Sequence, residues 1–164
     1  MINNKFPKDF FWGTATSSYQ IEGAADLEGK GPSVWDTFSH KKDTIKNGDT
    51  GDVACDHYHL WPKDLELLEN LGVNSYRFSI SWPRILPSGR ERKPNQAGLD
   101  FYSRLIDNLL EKNITPFITL NHWDIPQSLE DEGGWTKRMM VDAFVNYSYH
   151  TSKHLGDRVT HWIT

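Results

Sequence analysis

Short runs of alternating apolar and polar residues recur along the chain, separated by longer segments with helical periodicity. The clearest run is residues 74–80, where Tyr76, Phe78 and Ile80 fall on one face. Arg77 falls on the other face, together with two serines. Alternation of this kind is typical of a β-strand with one buried face. The pattern therefore predicts a strand whose opposite face carries an arginine.

Three further runs have the length and composition of strands, and helical segments lie between them. The predicted strands are residues 10–15, 74–80, 115–121 and 158–164. Pro116 is tolerable because it stands at the start of its strand. Pro62 suits the first turn of a helix better than its interior, which predicts one helix from about Asp52 to Leu60 and another beginning at Pro62. Asn95 and Thr136 are predicted N-caps of the two later helices, and Gly156 is a predicted stop.

The spacing of the strands favours one architecture. Tyr76 and Phe117 are 41 residues apart, and Phe117 and Val159 are 42 apart. Strand and helix alternating at that period predict parallel βαβ units. A doubly wound sheet also fits this pattern, but no glycine-rich phosphate turn follows any strand. We expect an α/β fold, the N-terminal half (about four βα units) of a (β/α)8 TIM barrel. A whole barrel needs about 250 residues, so residues 1–164 are not expected to form a complete domain.

Charge and cysteine content narrow the class of protein. The chain has 22 acidic and 18 basic residues, with the two signs interspersed, and contains no basic run. Nucleic acid and anionic membrane are therefore poor candidate partners. A single cysteine, Cys55, cannot form an internal disulfide, and the first residues lack the apolar stretch of a signal peptide. We expect a soluble cytoplasmic protein.

Arg77 is the strongest physical indication of chemistry in the sequence. The strand's alternation directs it into the barrel interior, where an unpaired guanidinium would cost several kcal/mol. One interpretation is an ion pair with a carboxylate from a neighbouring loop. The other is that Arg77 holds a catalytic carboxylate ionised and in place.

Histidine pairs do not predict a metal site. His57 and His59 stand two residues apart on a predicted helix and point in different directions. His150 and His154 stand four apart, but no third ligand is evident in the sequence.

Aromatic residues are abundant, with seven Trp, six Tyr and eight Phe. Most are expected in the core, but a subset near strand ends could pack on the C–H faces of sugar rings. The tryptophans within or near predicted strands and the loops that follow are Trp12, Trp35, Trp82, Trp123, Trp135 and Trp162.

Three long motifs resemble one known family. Residues 10–23 (FFWGTATSSYQIEG, after Phe6-Pro7), residues 76–85 (YRFSISWPRI) and residues 119–126 (TLNHWDIP) are similar to the first three strand segments of glycoside hydrolase family 1, the β-glucosidase family. They occur in the family's order and spacing across essentially the whole chain. The resemblance implies a retaining β-glycosidase, above all a β-glucosidase, that hydrolyses β-glycosides by double displacement.

The same resemblance implies roles for individual residues. Gln20 and His122 correspond to residues that hydrogen-bond hydroxyls of the sugar at the cleaved end. Trp123 corresponds to an aromatic that contacts that sugar, and it favours an unphosphorylated glycoside. Arg77 corresponds to the arginine that pairs with the nucleophilic glutamate, in agreement with its place in the strand.

Both catalytic glutamates of the family are missing from this sequence. In the family, Asn-Glu-Pro with the acid/base glutamate follows the fourth strand, and the nucleophile comes after the seventh, whereas this sequence ends at Thr164. We do not expect Glu22 or Asp124 to replace them. The expected partners are a β-linked glucoside or oligosaccharide and either the complementary C-terminal half of the barrel or a second copy of the chain, with no metal or organic cofactor. The alternative is a carbohydrate-binding or regulatory half-barrel without catalysis.

Overall fold

A computed structural model of the protein describes residues 5–164. Its sheet has four strands in the order β1-β2-β3-β4, and each neighbouring pair is parallel. The strands are β1 (Gly13–Ala15), β2 (Ser75–Ser79), β3 (Thr115–Thr119) and β4 (His161–Ile163). All four predicted strands are present, each shorter than its apolar run. The expectation about the absence of a signal peptide rests partly on residues 1–4, which lie outside the described residues.

Helices connect the strands and cover one face of the sheet. They are α1 (Ser18–Ile21), α2 (Val34–His40), α3 (His57–Leu71), α4 (Trp82–Ile85), α5 (Gln96–Glu111), α6 (Gln127–Asp131) and α7 (Met139–Leu155), with short 3₁₀ turns at Lys46–Gly48 and Gly134–Thr136. The long helices α3, α5 and α7 each precede the next strand of the sheet. The arrangement is therefore a partial α/β barrel, as the spacing predicted.

The predicted break at Pro62 is wrong, because α3 runs through it without interruption. The helix begins only at His57, since Ala54 and Asp56 have φ values of 48° and 53° and cannot belong to an α-helix. Pro62 is an exposed residue, and its missing N–H removes only the helical bond to the carbonyl of Tyr58. The helix retains its other backbone hydrogen bonds on both sides of the proline.

Two predicted caps differ from the structure. Thr136 belongs to a separate 3₁₀ turn, and α7 begins three residues later, at Met139. Asn95 does precede α5, but its side chain caps nothing; its amide donates to the carbonyls of Glu28 and Arg84. Gly156 follows the end of α7 as predicted.

The two faces of the sheet are occupied differently. Phe78, Ile80 and Ile118 are buried against the helices, where they form the main core with α5 and α7. On the opposite face, Arg77 lies between Ala15 and Phe117 in the strand register and is only half-buried. The placement of Arg77 on the face away from the helices is thereby confirmed.

Aromatic rings cluster on this second face. Phe117 is paired with His161 in the register, and their rings stack with centroids 4.2 Å apart. Phe11 meets Phe117 edge to face at 5.1 Å. All three side chains remain partly or largely exposed. We call this surface, formed by Ala15, Arg77, Phe117, His161 and Phe11, the open face of the sheet.

Within residues 5–164, every helix is too short or too polar for a membrane span.

Candidate functional site

A cavity of about 480 Å³ lies where β1 and β3 lead into their following loops. Gln20, at the end of the first helix after β1, lines it together with His122 and Trp123 from the loop after β3. The structure therefore brings together three of the four predicted site residues. The carboxyl ends of parallel strands are where barrel proteins place their functional groups.

The Gln20 side chain is held by its own helical turn. Ser17 Oγ–H donates to Gln20 Oε1 at 2.8 Å, and the Gln20 backbone N–H donates to the Ser17 carbonyl at 3.1 Å. Because the amide oxygen is held, the orientation of the whole planar amide is restricted. Its NH₂ group can then act as a directed donor toward a hydroxyl group.

Arg77 lies against His122. Its Nη2 is 3.4 Å from His122 Nδ1, and its Nε is buried with no hydrogen-bond partner among the described residues. A guanidinium can only donate, so Nδ1 must accept and the imidazole proton resides on Nε2. Burial and the positive charge of Arg77 both lower the pKa of His122. His122 is therefore neutral at neutral pH and retains one N–H donor.

Trp123 presents its ring to solvent from a strained backbone. Its φ is 75°, a rare value for a bulky residue, and its side chain is largely exposed. The Trp123 N–H donates to Asn121 Oδ1 at 3.2 Å. Strain of this kind concentrates at functional sites, where the surroundings hold it in place.

Trp35 and Tyr19 complete the aromatic side of the cavity. Their rings stack with centroids 5.9 Å apart, and the Tyr19 hydroxyl donates to Ser39 Oγ at 2.9 Å. Trp35 is one of several tryptophans near predicted strands and their loops, and the sequence predicts no specific role for it. The residues of the loop between α2 and α3 that line the cavity were missed altogether, since this segment has no periodicity; they are Ile45, Asp49, Thr50, Gly51 and Ala54.

Glu22 is a structural carboxylate. Its Oε2 accepts from Arg84 Nε at 3.0 Å, and its Oε1 accepts from the Tyr102 hydroxyl at 2.6 Å. All three side chains are buried, and Arg84 also donates to two backbone carbonyls of the loop after β1. The network fixes that loop to α4 and α5, and it leaves neither oxygen of Glu22 free for acid–base chemistry.

Asp124 is buried directly after Trp123. Ser18 Oγ–H donates to its Oδ2 at 2.5 Å, whereas its Oδ1 has no hydrogen-bond partner among the described residues. Burial is the main cause that raises the pKa of Asp124 to about 7. From the sequence, Asp124 was a candidate only as a replacement catalyst, a role that was not expected. A contact with a residue 106 positions earlier has no local signal in the sequence.

Candidate metal ligands are not grouped in residues 5–164. No three His, Cys, Asp or Glu side chains there lie close enough together to hold a metal ion. His57 Nδ1 lies 2.6 Å from Asp64 and His59 Nδ1 lies 2.5 Å from Asp56. The two imidazoles thus interact with different aspartates, in agreement with their predicted divergence.

The parallel sheet and the polar and aromatic cavity beyond its strand ends define part of a β/α barrel with a small-molecule site. The chain belongs to glycosyl hydrolase family 1, whose sequence model matches residues 2–164. The resemblance of the three motifs is thereby confirmed.

Several hydrolases are similar to this chain in sequence. The chain is 61% identical over 160 residues to a 1,4-beta-D-glucan glucohydrolase of Thermotoga neapolitana, covering 98% of this chain and 37% of that protein. It is 52% identical over 163 residues to the lactase/phlorizin hydrolase of Homo sapiens, covering 99% of this chain and 8% of that protein. The chain thus spans little more than a third of the length of its bacterial relatives.

A solved structure shares the fold. The beta-glucosidase from Thermotoga maritima in complex with castanospermine superposes with a TM-score of 0.95 at 59% identity. The match covers 98% of this chain and 36% of that one. The four strands and the helices between them therefore have the arrangement that they have in that beta-glucosidase.

Proposed function

We propose that residues 1–164 form the sugar-binding part of a retaining β-glucosidase, whose remaining barrel strands come from residues outside this sequence. The relatives of similar sequence are β-glucosidases. The Thermotoga maritima enzyme binds the inhibitors castanospermine and deoxynojirimycin in its solved structures. The substrate of this protein is accordingly a β-linked glucoside or oligosaccharide.

Recognition of the sugar rests on the groups that line the cavity. The amide of Gln20 and the Nε2–H of His122 supply directed donors to sugar hydroxyls. The rings of Trp35 and Trp123 offer flat apolar surfaces for the C–H face of a pyranose. Through the family resemblance, the large aromatic side chain of Trp123 also favours an unphosphorylated glycoside.

Hydrolysis with retention requires two carboxylates about 5 to 5.5 Å apart, one as acid/base and one as nucleophile. In the described part of the chain, Asp49 is the one carboxylate that lines the cavity. Glu22 and Asp124 are buried and engaged elsewhere. Both catalytic glutamates are therefore contributed by the rest of the barrel.

The observation that carries the proposal is the state of Arg77. This half-buried cation touches His122, yet its Nε has no partner and no carboxylate within the described residues pairs with it. A nucleophilic glutamate placed over the open face would satisfy it. The positive charge would lower the pKa of that glutamate, keep it ionised and fix its position for attack.

A chimera tests the proposal. Residues 1–164 replace the matched portion of beta-glucosidase A of Thermotoga maritima, to which the chain is 59% identical. We expect the chimera to hydrolyse an aryl β-glucoside and the isolated chain to give no turnover above background. Gln20→Ala and His122→Ala should each raise the KM of the chimera.

Two results would contradict the proposal. One is a folded chimera without activity; if the isolated chain nevertheless bound glucose derivatives, a non-catalytic carbohydrate-binding role would be supported instead. The other is turnover by rigorously purified 1–164 that is abolished by Asp49→Asn, Glu22→Gln or Asp124→Asn. That result would place catalytic carboxylates within this chain.

A further inference from the structure

A buried chain of hydrogen bonds links the end of β2 to the segments that follow β1 and β3. Ser79, at the end of β2, donates from its Oγ to Ser18 Oγ at 3.1 Å and accepts from the Ser18 N–H at 2.8 Å. Ser18 in turn donates to Asp124 Oδ2 at 2.5 Å. All three side chains are buried. We propose that Asp124, acting through Ser18, is a positioning residue for the sugar site, an inference that rests on the proposed function.

Ser18 and Asp124 both lie next to proposed sugar-binding residues in the sequence. Asp124 directly follows Trp123, and Ser18 stands between Ser17, which binds the Gln20 amide, and Gln20 itself. The bond between Ser18 and Asp124 therefore sets the distance between the loop after β1 and the loop after β3. It fixes where Gln20 lies relative to His122 and Trp123.

Ser79 connects the hydrogen bond between Ser18 and Asp124 to the open face of the sheet. Ser79 is two residues from Arg77, and both side chains lie on the same face of β2. One strand thus holds His122 through Arg77 and holds Ser18 through Ser79. The positions of Gln20, His122 and Trp123 are thereby fixed relative to one strand, β2. Sites supported by rigid secondary structure are more precise than sites held by loops alone.

In its ionised form the Asp124 carboxyl disfavours folding. Asp124 is 2% exposed and its Oδ1 lacks a hydrogen-bond partner in the described part of the chain. Burying such an oxygen is unfavourable, and a well-packed apolar side chain of similar volume is often neutral or stabilising at such a position. An apolar residue at position 124 would lack the hydrogen-bond acceptor that orients the Ser18 hydroxyl.

The acceptor is present in both protonation states. Burial raises the pKa of Asp124 to about 7, so neutral and ionised forms coexist near neutral pH. An ionised carboxylate accepts through either oxygen, and a neutral carboxyl still accepts through its carbonyl oxygen. Asn at this position keeps an amide oxygen for Ser18, whereas Leu keeps the volume without the acceptor.

The test uses the chimera and four variants: Asp124→Leu, Asp124→Asn, Ser18→Ala and Leu155→Ala. Leu155 is a buried residue at the far end of α7, away from the cavity, and serves as the control for lost stability. The measurements are kcat and KM for an aryl β-glucoside and the inhibition constant of deoxynojirimycin, far below each midpoint of unfolding. We expect Asp124→Leu and Ser18→Ala to weaken inhibitor binding and raise KM by about 10-fold or more.

Asp124→Asn should stay within about threefold of the parent, since it keeps the acceptor. Leu155→Ala should lower the midpoint of unfolding without changing the inhibition constant. If Asp124→Leu does not fold, the Ser18→Ala variant tests the positioning role, because this substitution removes only a hydroxyl. Parental constants in Ser18→Ala, or an equal loss in Leu155→Ala, would overturn the positioning role while leaving the proposed function intact; an inactive parent chimera would overturn both.

Discussion

The helix-facing side of the sheet and its open face are built from alternate residues of the same strands. On the first side Phe78, Ile80 and Ile118 are fully enclosed by helices. On the second, Arg77 and Phe117 occupy neighbouring register positions and remain half-buried. Consecutive residues such as Arg77 and Phe78 thus experience opposite environments at a separation of one peptide unit.

The two faces of the sheet contribute to different properties of the protein, stability and function. Apolar side chains on the helix-facing side stabilise the fold through burial. On the open face an arginine, a stacked histidine and aromatic rings remain partly exposed, and the proposed function assigns them contacts with the rest of the barrel or with the sugar. Substitutions of adjacent residues should therefore affect different properties, and the following predictions test that separation in the chimera and in the isolated chain.

The largest effect is expected from Phe78→Ala in the chimera. Phe78 is 3% exposed and stacks against Tyr76 with ring centroids 5.4 Å apart. The free energy of unfolding should fall by about 3–5 kcal/mol, as measured by denaturant titration. The ratio kcat/KM, measured where the variant is still folded, should be unchanged; a large drop in that ratio would show that the two faces are not separable.

Arg77→Met should have the converse effect. Removing the cation raises the pKa of the expected nucleophile and loosens its placement, so kcat should fall about 100-fold, with a smaller change in KM. Calorimetry should show a midpoint of unfolding close to that of the parent. Unchanged turnover would mean that Arg77 is structural, and Arg77→Lys serves as the matched variant that keeps the charge but not the fork of donors.

The pH dependence of stability should report Asp124. Its pKa in the folded chain, about 7, lies above the ordinary value of 3.8, so the folded state holds the proton more tightly than the unfolded state. Its stabilising contribution is present below pH 4 and is lost as pH rises toward 7. Between about pH 5 and about pH 8, the free energy of unfolding should therefore fall in the parent by about 2 kcal/mol more than it falls in Asp124→Asn.

Denaturant titrations of the chimera at those two pH values provide the measurement. Asp131→Asn is the control, because the Asp131 side chain is exposed and, among the described residues, accepts from Gln127 alone. Equal pH dependence in all three proteins would contradict the assignment of this titration to Asp124.

The smallest effect concerns association of the isolated chain. Its open face exposes 46% of Phe11 and leaves Phe117 half-buried, and the sheet ends at β1 and β4 with unpaired edges. Sedimentation at micromolar concentration should show self-association. Phe117→Ser should weaken it by about 1 kcal/mol, roughly fivefold, whereas Leu67→Ser on the solvent side of α3 should not. A compact monomer would favour an independent binding domain.

The sequence by itself determined the strands, their parallel order and the face on which Arg77 lies, because alternation and strand spacing are local properties of the chain. It also predicted Gln20, His122 and Trp123 as one group, through motifs that keep their order and spacing. The break at Pro62 and the starts of α3 and α7 were predicted wrongly. An exposed proline is accommodated within α3, positive φ values delay the start of α3, and a 3₁₀ turn precedes α7.

Only the tertiary structure decided how the site is held. The bond between Ser18 and Asp124 joins residues 106 positions apart, and the bond from Ser79 to Ser18 spans 61. Trp35 reaches the cavity from α2, and residues such as Asp49 and Thr50 reach it from the loop between α2 and α3, which has no periodicity. Such contacts depend on how the strands align side by side, and no pattern within one segment records which distant residue will lie opposite. The alternation of residues in β2 predicts the face on which Arg77 lies. The contact of Asp124 with Ser18 follows only from how the segments after β1 and β3 pack together.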